Sequence, residues 1–138
     1  MWLKINKTFF INGGDIRLDC IYVKAYTEIQ FDNHNISTYT RCYSSMESFE
    51  RDINSNLKID GFDKPFNFTC SRSTNALDFL KYVYSNIVKE ITSCIKTSIQ
   101  KVDEYGNILY DDIGNIIYEE ITIKPAICDI SECEIIDS

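Results

Sequence analysis

Histidine is almost missing from this chain. His34 is the single one in 138 residues, and it sits in Asp32-Asn33-His34-Asn35, a stretch that reads as a turn. General acid–base chemistry and thiol activation lean heavily on imidazole, so the shortage leaves little for a catalytic set. No apolar run approaches the ~20 residues that a membrane-spanning helix requires. No block of Lys and Arg offers the clustered charge that a nucleic-acid backbone demands. Glycine is scarce, five in all; Gly13-Gly14 lacks the lysine that follows in a phosphate-binding loop, so the pair reads as a hairpin turn. Alternating oxygen ligands with a distal Glu, the calcium-loop pattern, are also missing. No catalytic residue, cofactor or metal is assigned, and the expectation is a protein that is not an enzyme and meets neither nucleic acid nor membrane.

What the chain does have is charge of one sign and an ordinary apolar share. Acids number 21 against 14 basic residues, for a net charge of −7, while 44% of the residues are hydrophobic. That combination suits a folded acidic domain rather than a disordered one. The start, Met1-Trp2-Leu3-Lys4-Ile5, alternates apolar and polar residues where a secretory leader would carry a basic stretch and an apolar run, so folding is expected to begin in the cytosol. Six cysteines, at 20, 42, 70, 94, 128 and 133, are expected to act as reduced, mostly buried small hydrophobes. Cys128 and Cys133 are the one close pair, and a zinc site would need two further ligands.

The first half carries a period of two. Leu3, Ile5, Phe9 and Ile11 form one stripe, and Asn12-Gly13-Gly14-Asp15 turns the chain into a second stripe of Ile16, Leu18, Cys20 and Tyr22. The two predict an antiparallel hairpin. Further strands are expected over Tyr26 to Phe31, over Ile36 to Tyr43 and over Phe66, Phe68 and Cys70. Between the last two, Ser44 and Glu47 fit a capping box for a short helix through Met46, Phe49 and Ile53. A long amphipathic helix is expected from about Asn75 to Val102, with Asn75 as N-cap. Its stripe is Leu77, Leu80, Tyr84, Ile87, Val88, Ile91, Ile95, Ile99 and Val102.

An internal repeat follows. Gly106-Asn107-Ile108-Leu109-Tyr110-Asp111-Asp112 returns as Gly114-Asn115-Ile116-Ile117-Tyr118-Glu119-Glu120, and a third strand runs through Ile121-Thr122-Ile123. Gly-Asn supplies a turn and the Ile-x-Tyr segments supply strands, predicting a small antiparallel ribbon. Such a ribbon is marginal alone, so it either packs on its own domain or meets another polypeptide. The tail from Pro125 to Ser138 mixes acids with Ile127, Ile130, Ile135 and Ile136. It reads equally as an extra edge strand or as an arm that orders on a neighbour.

The fold class expected is therefore α+β: an antiparallel β-sheet packed on one long amphipathic helix, with a C-terminal β-ribbon. The division is a core at 1–102, a tandem-repeat ribbon at 103–124 and a C-terminal arm at 125–138. Tyrosine suits both strands and interfaces. Ile108, Tyr110, Ile116, Tyr118, Ile135 and Ile136 are the residues assigned to partner binding.

Tyr43 to Glu50, Phe66 to Phe68 and the helix segment Asn75-Ala76-Leu77-Asp78-Phe79-Leu80-Lys81-Tyr82-Val83-Tyr84 carry a resemblance. Over residues 36 to 88 the chain resembles small virion-associated proteins of tailed bacteriophages, including crAss-like phages of gut Bacteroidetes. The Gly-Asn-Ile-x-Tyr repeat is similar in style to segments of phage fibres and tails. The resemblance implies a structural or auxiliary component of the virion, made in the host cytoplasm. It also implies multiple symmetric copies bound to capsid or tail subunits, and no catalytic activity. The alternative from the residues alone is an acidic inhibitor or immunity-type protein, steered by its charge to a basic partner protein.

Overall fold

A computed structural model of the chain describes residues 1–29, 35–69 and 75–137. The fold is α+β, mostly antiparallel strands with one long helix and a strand near the C-terminus. His34, Cys70 and the expected strand end at Phe31 lie outside the described residues. The chain divides into two compact units, residues 1–92 with 127–138, and residues 93–126.

The first unit is built on a five-stranded sheet with the order β6-β5-β4-β1-β9. Its strands are β1 (Trp2–Ile5), β4 (Ile21–Ile29), β5 (Asn35–Tyr43), β6 (Phe66–Thr69) and β9 (Cys133–Ile136), and every neighbouring pair is antiparallel. The expected N-terminal hairpin splits in two. β2 (Phe9–Ile11) and β3 (Ile16–Leu18) pair with each other, while β1 pairs with β4. Leu3 faces Val23 and Ile5 faces Ile21, but Phe9 faces Leu18. The register has slipped by one residue between these pairs, which ends one ladder and starts another. The expected strands at Ile16–Tyr22 and Tyr26–Phe31 are likewise redrawn, because β4 runs unbroken through Val23, Lys24 and Ala25.

One face of this sheet packs against α2 (Ala76–Thr92). Leu3, Ile5, Ile21, Val23 and Cys42 from the strands meet Val83, Tyr84, Ile87 and Ile91 from the helix in one buried cluster. Asn75 caps the helix as expected: its side-chain oxygen accepts from the Asp78 N–H at 2.9 Å. The helix is shorter than its apolar spacing suggested. It ends at Thr92, and Ile95–Gln100 form a strand, β7. Ile95 and Ile99 are four apart, a spacing that shares a face in a helix and in a strand alike. The β-branched Ile95, Thr97 and Ile99, at alternate positions, tip the balance to the strand. The stripe also shifts: Leu77 and Leu80 are exposed, and Val83 is buried in their stead.

Tyr84 completes the sheet as well as the core. β1 stops at Trp2, so Met1 and Ala25 are left facing each other beyond the last rung. The Tyr84 hydroxyl fills the gap, accepting from the Ala25 N–H at 3.0 Å and donating to the Met1 carbonyl at 2.9 Å. Burial pushes this phenol's pKa up.

The opposite face carries a cluster of aromatics. Trp2, Tyr22 and Tyr43 are joined by Phe49 of the short helix α1 (Met46–Arg51), in edge-on pairs 5.1–6.4 Å between ring centres. The Lys24 ammonium lies 4.6 Å from the Trp2 ring centre. The cap of α1 is Ser45, one residue later than expected, and its hydroxyl accepts from the Ser48 N–H at 3.1 Å.

Thr38 is fully buried, and its hydroxyl has no partner among the described residues. A buried donor left unpaired is costly. Thr38→Val keeps the shape and removes the hydroxyl, so thermal unfolding should show a variant about 1 kcal/mol more stable. A loss of stability would mean that the hydroxyl is satisfied.

The expected C-terminal arm is an edge strand of this sheet. β9 pairs with β1, placing Ile135 opposite Leu3 and Ile136 opposite Trp2. Residues 127–138 therefore belong with the core. The other unit begins at Ser93 rather than at Asp103, because β7 is half of its hairpin.

Candidate interaction surface

Residues 93–126 are inserted at a narrow point of the core. The Ile127 N–H donates to the carbonyl of Ile91 at 2.8 Å, so the chain leaves the core and re-enters it at adjacent positions. Within the insertion, β7 pairs antiparallel with β8 (Tyr118–Lys124), with a bulge near Ile95. Lys96 on one strand and Glu120 on the other form an exposed ion pair at 3.2 Å. Such a pair adds little to stability.

The repeat builds the tip. Asp103 and Asp111 each open a turn in which the side chain folds back on the backbone. The Asp103 carboxylate accepts from the N–H groups of Tyr105 and Asn107, both at 2.9 Å. Asp111 does the same with Ile113 at 3.0 Å and Asn115 at 2.8 Å. Gly106 and Gly114 close these turns at φ of 85° and 86°, a conformation that side-chain-bearing residues rarely adopt. Each is a tight turn followed by a left-handed glycine, the geometry of a three-residue hairpin loop.

Between the turns, three segments close on one another. The Leu109 N–H donates to the Lys101 carbonyl at 2.9 Å, that of Ile117 to Leu109 at 3.1 Å, and that of Lys101 to Ile117 at 2.8 Å. Residues 101, 109 and 117 thus form a ring of three hydrogen bonds, one from each copy of the repeat. The third copy is Lys101-Val102-Asp103-Glu104, which the sequence reading missed because Lys101 breaks the apolar pattern. Its signal was the acidic pair: Asp103-Glu104 aligns with Asp111-Asp112 and Glu119-Glu120.

The backbone of the tip closes on itself, but its side chains are at most partly covered, as at Leu109, Ile116 and Ile117. No residue of 93–126 is buried. Tyr105 and Ile113, at the two turn tips, are 82% and 83% exposed, and Val102, Tyr110, Tyr118 and Ile123 are each about half exposed or more. Of the residues assigned to partner binding, Ile108, Tyr110, Ile116 and Tyr118 lie together in this unit. Val102 bridges Ile108, Tyr110 bridges Ile116, and Tyr118 opens β8. Ile135 and Ile136 belong to β9 in the other unit and are not part of the group. Tyr105 and Ile113, the most exposed large apolar side chains, were not singled out because they sit at turn positions.

The two backbone bonds hold the Asp103 carboxyl below its ordinary value of 3.8. A lowered folded value means the turn is supported above pH 3.8 and loses that support as pH falls through the folded value. The Tyr105 and Asn107 amide resonances should therefore move together in a titration below pH 3.8. Amides that stay fixed there would show that the carboxylate does not hold the turn.

A groove of about 660 Å³ runs along Tyr39 to Cys42 and Asn56 to Asp63. Its one thiol, Cys42, is pushed up to about 12 by burial and so stays protonated at neutral pH. Among the described residues, no three His, Cys, Asp or Glu side chains gather where they would hold a metal ion. No helix among the described residues is long and apolar enough to cross a membrane. Compared with protein-family models, with curated proteins and with solved structures, the chain matches none.

Proposed function

We propose that this chain is a non-enzymatic structural protein of a phage particle, and that residues 93–126 dock it onto capsid or tail subunits as an auxiliary or connecting component. One observation carries the docking role: the inserted unit exposes a set of large aliphatic and aromatic side chains, Tyr105 and Ile113 foremost, and fully buries none. A unit below about 40 residues usually needs a cross-link, a metal or a neighbour to stand, and exposed apolar surface on this scale marks an interaction site. Tyrosine and isoleucine at the tips are good anchors, since they bury much area for few rotatable bonds. The particle assignment rests on the resemblance of residues 36 to 88 to virion-associated phage proteins, which also favours multiple symmetric copies.

The second reading, an acidic inhibitor of a basic protein, has less to draw on. Of the acids in the unit, Asp103 and Asp111 are committed to their own turns and Glu120 to Lys96.

Mass spectrometry of purified particles tests the role. The chain should be present at a fixed ratio to the capsid or tail subunits. Its absence from washed particles would overturn the proposal. Binding to a basic protein that weakens steeply with salt would move the assignment to the inhibitor.

A further inference from the structure

Cys128 and Cys133 flank a single turn of 3₁₀ helix, Ile130–Glu132, at the point where the chain re-enters the core. The turn is held from several sides. The Asp129 N–H donates to the Glu132 carboxylate at 2.8 Å, and the Asn6 N–H donates to the Glu132 carbonyl at 2.7 Å. On one side, Ile127 is tied to the end of α2 through the Ile91 carbonyl, and its own carbonyl accepts from the Lys7 ammonium. On the other, Cys133 is the first residue of β9 and sits opposite Ile5 in the sheet. Both backbones are thus fixed, and the two sulfurs lie 3.5 Å apart. That is van der Waals contact, so a small rotation of the side chains is enough to bring them to bonding distance.

We infer that Cys128 and Cys133 are a modification site, a dithiol that closes to an intrachain disulfide when a low-molecular-weight disulfide such as oxidised glutathione is present. Cys133 is half-buried and Cys128 is buried, which sets the order of events. The Cys133 thiolate, having lost its proton to water, attacks one sulfur of oxidised glutathione and releases one glutathione thiolate. Cys128 then loses its proton and attacks the Cys133 sulfur, releasing the second. Two thiols are oxidised and one glutathione disulfide is reduced, and the two protons the cysteines give up end on the two released glutathione thiolates, so that two glutathiones form. Burial and the neighbouring sulfur push the Cys128 thiol up to about 12, so closure is slow at neutral pH and quickens as pH rises. The bond then ties the start of the edge strand β9 to the segment anchored on α2.

The folded full-length chain is incubated with oxidised glutathione at mildly alkaline pH, quenched with acid, alkylated and digested with trypsin. Cleavage after Lys101, with the Lys124–Pro125 bond resistant, gives a last peptide, Val102–Ser138, whose two cysteines are the pair in question. The expected peptide carries no alkyl group and is about 2 Da lighter than its reduced form, and a reductant restores both. Cys128→Ser should stop the reaction at the first step, with glutathione retained on Cys133. Full alkylation of both cysteines, in a sample where exposed Cys94 has taken up glutathione, would overturn the inference. A wild-type mixed disulfide on Cys133 that never resolves would do the same.

Discussion

Removing residues 93–126, with Thr92 joined to Ile127 through a short glycine link, leaves a chain that still folds. The exit and re-entry points already share a hydrogen bond between Ile91 and Ile127, so the link closes a gap of a few residues and costs little loop entropy. None of the side chains in the buried cluster comes from the excised unit. The excised form should therefore unfold in one cooperative transition, with stability within about 1 kcal/mol of the parent. Its retention on a hydrophobic matrix should fall, since Tyr105, Ile113 and their neighbours have gone. Its incorporation into particles should be lost. Calorimetry and particle composition read the two halves separately. A molten product would show that the insertion supports the core, and undiminished incorporation would remove the docking role.

Ile87→Ala should destabilise the first unit by about 2–5 kcal/mol, the range for truncating a fully buried aliphatic side chain. Ile87 is completely buried and sits at the centre of the helix stripe, between Val83 and Tyr84 on one turn and Ile91 on the next. Against the marginal stability of a domain this size, such a loss moves the denaturation midpoint far down or abolishes folding at growth temperature. Leu80→Ala on the same helix is the contrast. Leu80 is 39% exposed, so its truncation should cost well under half as much. Equal costs at the two positions would mean that the helix is packed through a different face.

The period of two in the first half was readable because strands with one buried face must alternate. That rule located the strand material at Trp2–Ile5, Phe9–Ile11, Ile16–Leu18 and Asn35–Tyr43. What it left open was which segments pair, since the slip between Ile5 and Phe9 is a property of the ladder and leaves no compositional mark. Asn75 and Asp78 announced the start of α2 through capping chemistry, whereas its end was hidden by the four-residue spacing of Ile91, Ile95 and Ile99, which satisfies both periods. The eight-residue repeat was plain from Gly106 and Gly114. Its third member was masked by Lys101, and the closed ring at residues 101, 109 and 117 rests on backbone hydrogen bonds that side-chain patterns do not encode. Grouping Ile135 and Ile136 with the ribbon residues followed apolar content alone, and the sheet claimed that segment through its pairing with Leu3 and Trp2.

Amide hydrogen exchange at Leu109 and Ile117 probes most closely whether residues 93–126 are completed by another polypeptide. In the free chain, with no buried side chain above them, these amides should exchange rapidly despite their place in the ring. In particles they should be at least about 100-fold slower, as a docked surface excludes water and suppresses local opening. Slow exchange in the free chain, unchanged on assembly, would mean that the unit is complete by itself and docks nothing.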